Sequence, residues 1–255
     1  MTQTSALSKI RTLHPLLHCI SNLVTAGDCA NLALAIGASP IMAQEPQEMK
    51  EIASLAHAVV LNTGTPDDMK FAAAALAGQT ANQRQIPVIL DPVGIGASTW
   101  RLTSIQNLLK QVHPDILRVN LGEAKALLGQ TGTEHGVDSF DTLQSADDCA
   151  MELARTFQTT VLLSGAEDLV TDGIRLKQIS GGSPMTRAVT GAGCMLSVLC
   201  GAFASIQPDA PYTAACQASS FWKACAKAAS THAPGPASFR IALFDAAYQI
   251  SSSRS

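Results

Sequence analysis

Between residues 58 and 165, short apolar runs that stop on a polar residue or a glycine alternate with longer stretches of helical pattern. "AVVLNTG" (58–64) leads into "TPDDMKFAAAALAGQTANQR" (65–84), where Thr65 is placed to cap a helix and Pro66 to occupy its first position. "IPVILDPVG" (86–94) is the next buried strand. A helix near 102–111, the strand "DILRVN" (115–120), a helix opening at Leu121 or Gly122, a helix near 146–157 and the strand "TTVLLSG" (159–165) follow. Strands that are apolar along their whole length are covered on both faces, so this alternation requires a mostly parallel sheet between two helical layers.

The pattern changes at "EDLVTDGIRLKQISGGSP" (167–184), where Thr171-Asp172-Gly173 separates two short extended runs. A hairpin there puts antiparallel strands near 168–180 beside the parallel set. From Ala192 the chain reads as helical almost to its end. "CMLSVLCGAFASI" is apolar on every side and predicts a buried helix, whereas the two later runs carry apolar residues at three- and four-residue spacing. A polar segment spans 129–148, but there is no linker, no low-complexity block and no repeat longer than the β-α unit. One domain over residues 1–255 is expected.

Composition narrows the function. With 47% hydrophobic and 15% charged residues, the chain is built to bury much of its surface. No apolar run approaches the roughly 20 residues that span a bilayer, and the N-terminus lacks the basic start and apolar core of a leader, which predicts a cytoplasmic protein. A net charge of −3 and the absence of a Lys/Arg cluster argue against nucleic-acid binding. Seven cysteines, an odd set without a C-x-x-C pair, suggest neither a disulfide framework nor zinc.

Polar residues cluster where strands end, which in open α/β sheets is where ligands bind. Asn62-Thr63-Gly64, Asp91-Pro92-Val93-Gly94, Arg118-Val119-Asn120 and Ser164-Gly165 each close a strand. Any one of them is ordinary turn chemistry, but four on one sheet edge make a pattern. Asp91 and Glu123 could hold Mg²⁺ through water, although Glu123 also reads as an acid that favours a helix N-terminus. Arg118 either extends its charge to solvent or pairs with an anion such as a nucleotide phosphate.

The stretch "TRAVTGAGCMLSVLCGAF" (186–203) is the most telling. The first N–H groups of a helix lack partners and carry about half a positive charge, so Gly191-Ala192-Gly193-Cys194 reads as an anion hole with Cys194 facing the ligand. The alternative is a glycine-rich start that allows close packing. A helix N-terminus would also lower the thiol pKa of Cys194. No G-x-x-x-x-G-K-[ST] occurs, and Leu196 breaks a dinucleotide fingerprint.

A helix opened this way late in an α/β chain resembles the ribokinase-like superfamily, with cysteine at 194 where its Gly-Ala-Gly-Asp motif has aspartate. Cysteine at that point is similar to the hydroxyethylthiazole kinases. The likeness extends in matching order through "HCISNLVTAGDCANLALAIGASPIMA" (18–43), "LNTGT" (61–65), "ILDPVGIGAS" (89–98), "GVDS" (136–139), "VTDG" (170–173), "VTGAGCMLSVLCGAF" (189–203) and "GPASFRIALFDAAY" (235–248).

The resemblance implies a ribokinase-like αβα sandwich that uses MgATP to phosphorylate 4-methyl-5-(2-hydroxyethyl)thiazole. By it, Met42, Asn22 and Gly191 contact the thiazole, with Met42 supplied across a subunit boundary of a homotrimer. Arg118 and Ser164 bind ATP, Asp91 and Glu123 lie near Mg²⁺, and Gly191, Ala192, Gly193 and Cys194 form the catalytic loop. Val119, Leu121-Gly122, Ser164, Ala192 and Ala237 depart from the family's usual residues. Rival readings are a kinase for another heterocyclic alcohol, an ATP-dependent repair lyase for hydrated nicotinamide cofactors, a dinucleotide-dependent oxidoreductase, and a non-catalytic binding module.

Overall fold

The computed structural model describes residues 1–129 and 145–253; the "GVDS" stretch at 136–139 lies outside the described residues. In chain order the elements are α1 (Gln3–Leu13), β1 (Leu16–Ile20), α2 (Ala26–Ala35), β2 (Ser39–Ile41), α3 (Met49–Leu55), β3 (Ala58–Asn62), α4 (Asp68–Gln83) and β4 (Val88–Asp91). Then come α5 (Thr99–Leu109), β5 (Ile116–Asn120), α6 (Leu121–Leu127), α7 (Ala146–Phe157), β6 (Thr160–Ser164), β7 (Asp168–Thr171) and β8 (Leu176–Ile179). Three helices close the chain: α8 (Ala192–Ser205), α9 (Pro211–Ser230) and α10 (Pro236–Ser252).

The eight strands form one sheet in the order β2-β1-β3-β4-β5-β6-β7-β8. Strands β1 to β6 pair in parallel, and β7 and β8 pair antiparallel at one end, as the hairpin reading required. Because β2 lies on one side of β1 and β3 on the other, the chain reverses its direction of travel between β1 and β3. Such a switch point opens a crevice at the strand ends.

Two cores flank the sheet, and the strands feed them alternately. Val60, Ile89, Ile116 and Leu162 pack with residues of α1, α2, α8, α9 and α10, while Leu61, Leu90, Leu117 and Leu163 pack with α3, α4, α6 and α7. Side chains alternate across a sheet with a period of two. Residues 62, 91, 118 and 164, each two beyond a residue of the first set, therefore all face α8. The alternation of the strands thus gathers the four polar strand ends on one face.

Helix α8 runs through the middle of this arrangement, buried from Cys194 to Ala204 as its all-round apolar pattern predicts. Phe203 packs edge-on to Phe221 of α9 with ring centroids 6.1 Å apart. Burying two such rings contributes about 3–6 kcal/mol, which anchors the helix whose N-terminus the site uses.

One cap differs from expectation. Thr65 and Pro66 do not open α4; Asp67 caps it, its carboxylate accepting the Lys70 N–H at 2.7 Å. Thr65 sits in the left-handed region (φ 45°), and its hydroxyl is occupied by the Leu23 N–H and the Lys70 ammonium. No helix among the described residues is long and apolar enough to cross a membrane.

Candidate active site

The ends of β3, β4 and β5 meet the start of α8 in a continuous buried network. Asp91 has no exposed surface. One of its oxygens accepts the Asn62 side-chain amide at 2.9 Å and the Ser197 hydroxyl at 2.7 Å, while the other faces Arg118 Nη1 at 3.4 Å. Ser197 stands one turn into α8, so the carboxylate ties the helix to the sheet. Asn62 in turn accepts from Asn22 Nδ2 at 3.1 Å, and the same Asn22 amide reaches the Cys194 sulfur at 3.2 Å. The Asn22 carbonyl oxygen is held by the N–H groups of Val24 and Thr25. Asn22 and Asn62 thus bridge β1 and β3 at the topological switch point.

Arg118 does not extend to solvent; it is paired within the protein while lining a cleft beside the start of α8. It is buried, forms an ion pair with Asp91 and donates to the Ser164 hydroxyl, while its Nε has no partner among the described residues. Burial disfavours its charge, but Asp91 and Glu123 outweigh that and hold the guanidinium above its ordinary pKa. It lies across Gly193, where there is no room for a Cβ. A guanidinium with a free N–H beside a helix N-terminus is a concentrated positive site.

Gly191 fits the close-packing reading, and its backbone calls for glycine as well. Gly191 precedes α8 at φ 82°, a conformation that side chains rarely adopt, and the space for a Cβ is filled by the Thr25 side chain. No side chain caps α8, so the amides at 193 and 194 remain available; Ala192 N–H leans on the Val189 carbonyl at 3.4 Å.

The expectation of a lowered Cys194 pKa is overturned. Burial pushes the thiol up and Asp91 pushes the same way, against smaller opposing effects from Thr25, Asn62 and Arg118. Cys194 is buried, and desolvation of a thiolate there outweighs the half charge of the helix end.

Glu123 performs the capping role that was one of its two readings. Its Oε2 accepts the Asn120 N–H at 2.9 Å while Asn120 caps the Glu123 N–H, and its Oε1 accepts the Gly94 N–H at 3.0 Å. It therefore fastens the loop after β4 to the start of α6. Burial and Asp91 raise its pKa, opposed by Arg118 and these backbone bonds.

A cleft of about 450 Å³ opens beside the start of α8. Arg118, Ser164, Arg187, Ala192, Gly193 and Lys223 are among the residues that line it. Asp168 shapes its floor, accepting the Gly165 N–H at 3.0 Å, the Ser219 hydroxyl at 2.8 Å and the Lys223 ammonium at 3.0 Å. Lys223 also donates to the Gly165 and Ala166 carbonyls, both at 3.0 Å. Sequence reading missed Arg187, Ser197, Lys223 and Asp168; the first three are polar residues in helical turns that carry no local mark of a site. Met42 follows the edge strand β2, half-buried against the α8-side core and two strands away from Asn62.

The acids do not form a metal cage: among the described residues no three His, Cys, Asp or Glu side chains gather as a metal site. What Asp91 and Glu123 offer is negative charge whose oxygens already accept protein hydrogen bonds. Of the two, only Glu123, at 7% exposed, has surface that a hydrated cation could approach, and Asp91 acts through its charge alone.

Comparison with known proteins identifies the family. Residues 7–253 match the hydroxyethylthiazole kinase family. A hydroxyethylthiazole kinase of Herpetosiphon aurantiacus is 44% identical over 236 residues, 92% of this chain and 86% of the relative. The solved structure of hydroxyethylthiazole kinase from Pyrococcus horikoshii OT3 superposes with a TM-score of 0.87 at 38% identity, covering 97% of this chain and 92% of that one. A ribokinase-like superfamily protein from Enterococcus faecalis V583 shares the fold at 12% identity, with a TM-score of 0.67 over 98% of this chain and 95% of that one. The fold is ribokinase-like, and the chain belongs to the hydroxyethylthiazole kinase family.

Proposed function

We propose that the chain transfers the γ-phosphoryl group of ATP to the primary alcohol of 4-methyl-5-(2-hydroxyethyl)thiazole, releasing ADP and the phosphate ester. The observation that carries this reading is the uncapped start of α8, with Arg118 across Gly193 and Cys194 on the side of the switch-point crevice. The cleft lined by Arg118, Ser164 and Lys223 takes the nucleotide, and the crevice at Asn22 and Cys194 takes the thiazole alcohol. Between them, the free amides of residues 193 and 194 are positioned for the migrating phosphoryl group.

In the reaction the alcohol oxygen bonds to the γ-phosphorus as the bond to the β–γ bridging oxygen breaks. In a loose transition state the attacking oxygen needs little negative charge, so its proton leaves late, to a non-bridging oxygen of the transferred phosphoryl group and from there to water. A thiol pushed above its ordinary pKa is suited to this: Cys194 holds the hydroxyl as a neutral hydrogen-bond partner, oriented by Asn22. The backbone amides and Arg118 stabilise charge on the transferring oxygens, and this electrostatic contribution is the larger one. Mg²⁺ on the phosphates would add further neutralisation, with Glu123 the residue that would hold it through water and Asp91 adding negative charge from within the buried network.

We place the active unit as a homotrimer in which Met42 of one copy closes the thiazole site of the next. Leu23 and Val24, directly after Asn22, are 75% and 67% exposed, apolar surface that a neighbouring subunit would cover. We place the enzyme in the cytoplasm; among the described residues no helix is long and apolar enough to cross a membrane.

The test is ADP formation from MgATP with the thiazole alcohol, pyridoxine or hydroxymethylpyrimidine as acceptor. The thiazole alcohol should give kcat/KM at least about tenfold above the other two, a difference of about 1.4 kcal/mol in transition-state binding. Preference for either rival, or no acceptor-dependent ADP, overturns the assignment.

A further inference from the structure

Lys70 is a buried ammonium that the proposed reaction does not use. Only 4% of the residue is exposed, yet its three hydrogen-bond acceptors are all uncharged. Nζ donates to the Ser21 carbonyl at 2.9 Å, the Gly64 carbonyl at 2.7 Å and the Thr65 hydroxyl at 3.3 Å. Burying a charge whose direct hydrogen-bond partners are all neutral, with the acid Asp67 acting only from a distance, is costly, and an apolar side chain of the same length would fill the space more cheaply. The backbone N–H of Lys70 is already capped by Asp67, so the start of α4 does not depend on the ammonium.

The groups it holds are the loops on either side of the switch-point crevice. Ser21 immediately precedes Asn22, and Gly64 sits against Asn22 and Asn62, its N–H donating to Asn62 Oδ1 at 3.0 Å. Thr65 is β-branched and left-handed, a combination that persists only where the surroundings enforce it. The enforcing contacts are Lys70 Nζ and the Leu23 N–H, both on the Thr65 hydroxyl.

We propose that Lys70 is a positioning residue whose ammonium clamps the loop after β1 to the loop after β3, fixing Asn22 and Asn62 against Cys194. The inference rests on the reading that Asn22 and Cys194 face the acceptor alcohol. Burial, opposed by nearby Asp67, lowers the Lys70 pKa, consistent with a cradle made of neutral oxygens.

The experiment compares wild type and K70M by steady-state kinetics and by hydrogen exchange of peptides covering 20–26 and 62–67. Loss of the clamp should lower kcat/KM for the thiazole alcohol by about 10- to 100-fold, the scale of a small misplacement of reacting groups. KM for MgATP should stay within about twofold, because the nucleotide cleft is walled by other elements. Exchange should quicken in those two peptides and not in the strands. If K70M does not fold, T65V, which removes only the hydroxyl, should show the same pattern with a smaller loss. Unchanged exchange in both peptides overturns the clamp even if the thiazole alcohol proves not to be the acceptor. Equal losses for alcohol and MgATP, or wild-type kinetics, overturn the positioning role.

Discussion

Asn22 and Cys194, 172 residues apart, meet through a 3.2 Å contact between side-chain amide and sulfur. With Asn62 behind Asn22, that contact sets the thiol as an oriented neutral group. C194S should therefore lower kcat by about five- to tenfold with little change in KM for the alcohol. A true general base would cost about 10²-fold or more on removal, so the size of the loss in steady-state rates distinguishes the two roles.

The pH dependence of Cys194 follows from the sign of its shift. An acid whose folded pKa lies above its free value stays protonated through the range where a free thiol ionises, and burial puts Cys194 in that position. Alkylation at Cys194, followed by mass spectrometry, should at pH 8 be at least about tenfold slower than for a free cysteine. Reaction at or above the free rate would restore the thiolate.

Gly191 and Gly193 should fail differently. G191A forces a side chain into the left-handed region and onto Thr25, costing about 1–3 kcal/mol of stability, read as a lower Tm. G193A drives its Cβ into the Arg118 guanidinium and displaces it from Asp91 and Ser164, so KM for MgATP should rise about tenfold, equivalent to about 1.4 kcal/mol of binding, with a fall in Tm that comes from the disturbed ion pair rather than from backbone strain.

D91N should destabilise the protein by about 3–5 kcal/mol, because Arg118 would keep a buried charge without its acid partner. Adding R118M should recover part of that stability in a denaturant titration while leaving the enzyme inactive. Additive losses would show that the pair is not coupled.

The strand ends at Asn62, Asp91, Arg118 and Ser164 were legible because each interrupts an apolar run, and the period of two then puts them on one face. The loop before α8 was legible because Gly191 and Gly193 precede a stretch apolar on all sides. Strand β2 was not, being three residues long with Pro40 at its centre. Lys70 and Lys223 were invisible because a lysine in a helical stretch reads as solvated surface, and only the tertiary fold brings carbonyls to their ammonium groups. Thr65 failed as a cap, and Cys194 as a low-pKa thiol, for a shared reason: a local rule yielded to burial and to partners distant in sequence.

The central claim is that the amides opening α8 receive the phosphoryl group in transit. Amide ¹⁵N–¹H spectra recorded with MgADP, the thiazole alcohol and aluminium fluoride, which mimics that group, test it directly. The account predicts large shifts at Gly193 and Cys194 together with Arg118, and small ones along the rest of α8. Unmoved resonances at residues 193 and 194 in a complex that demonstrably forms would contradict it.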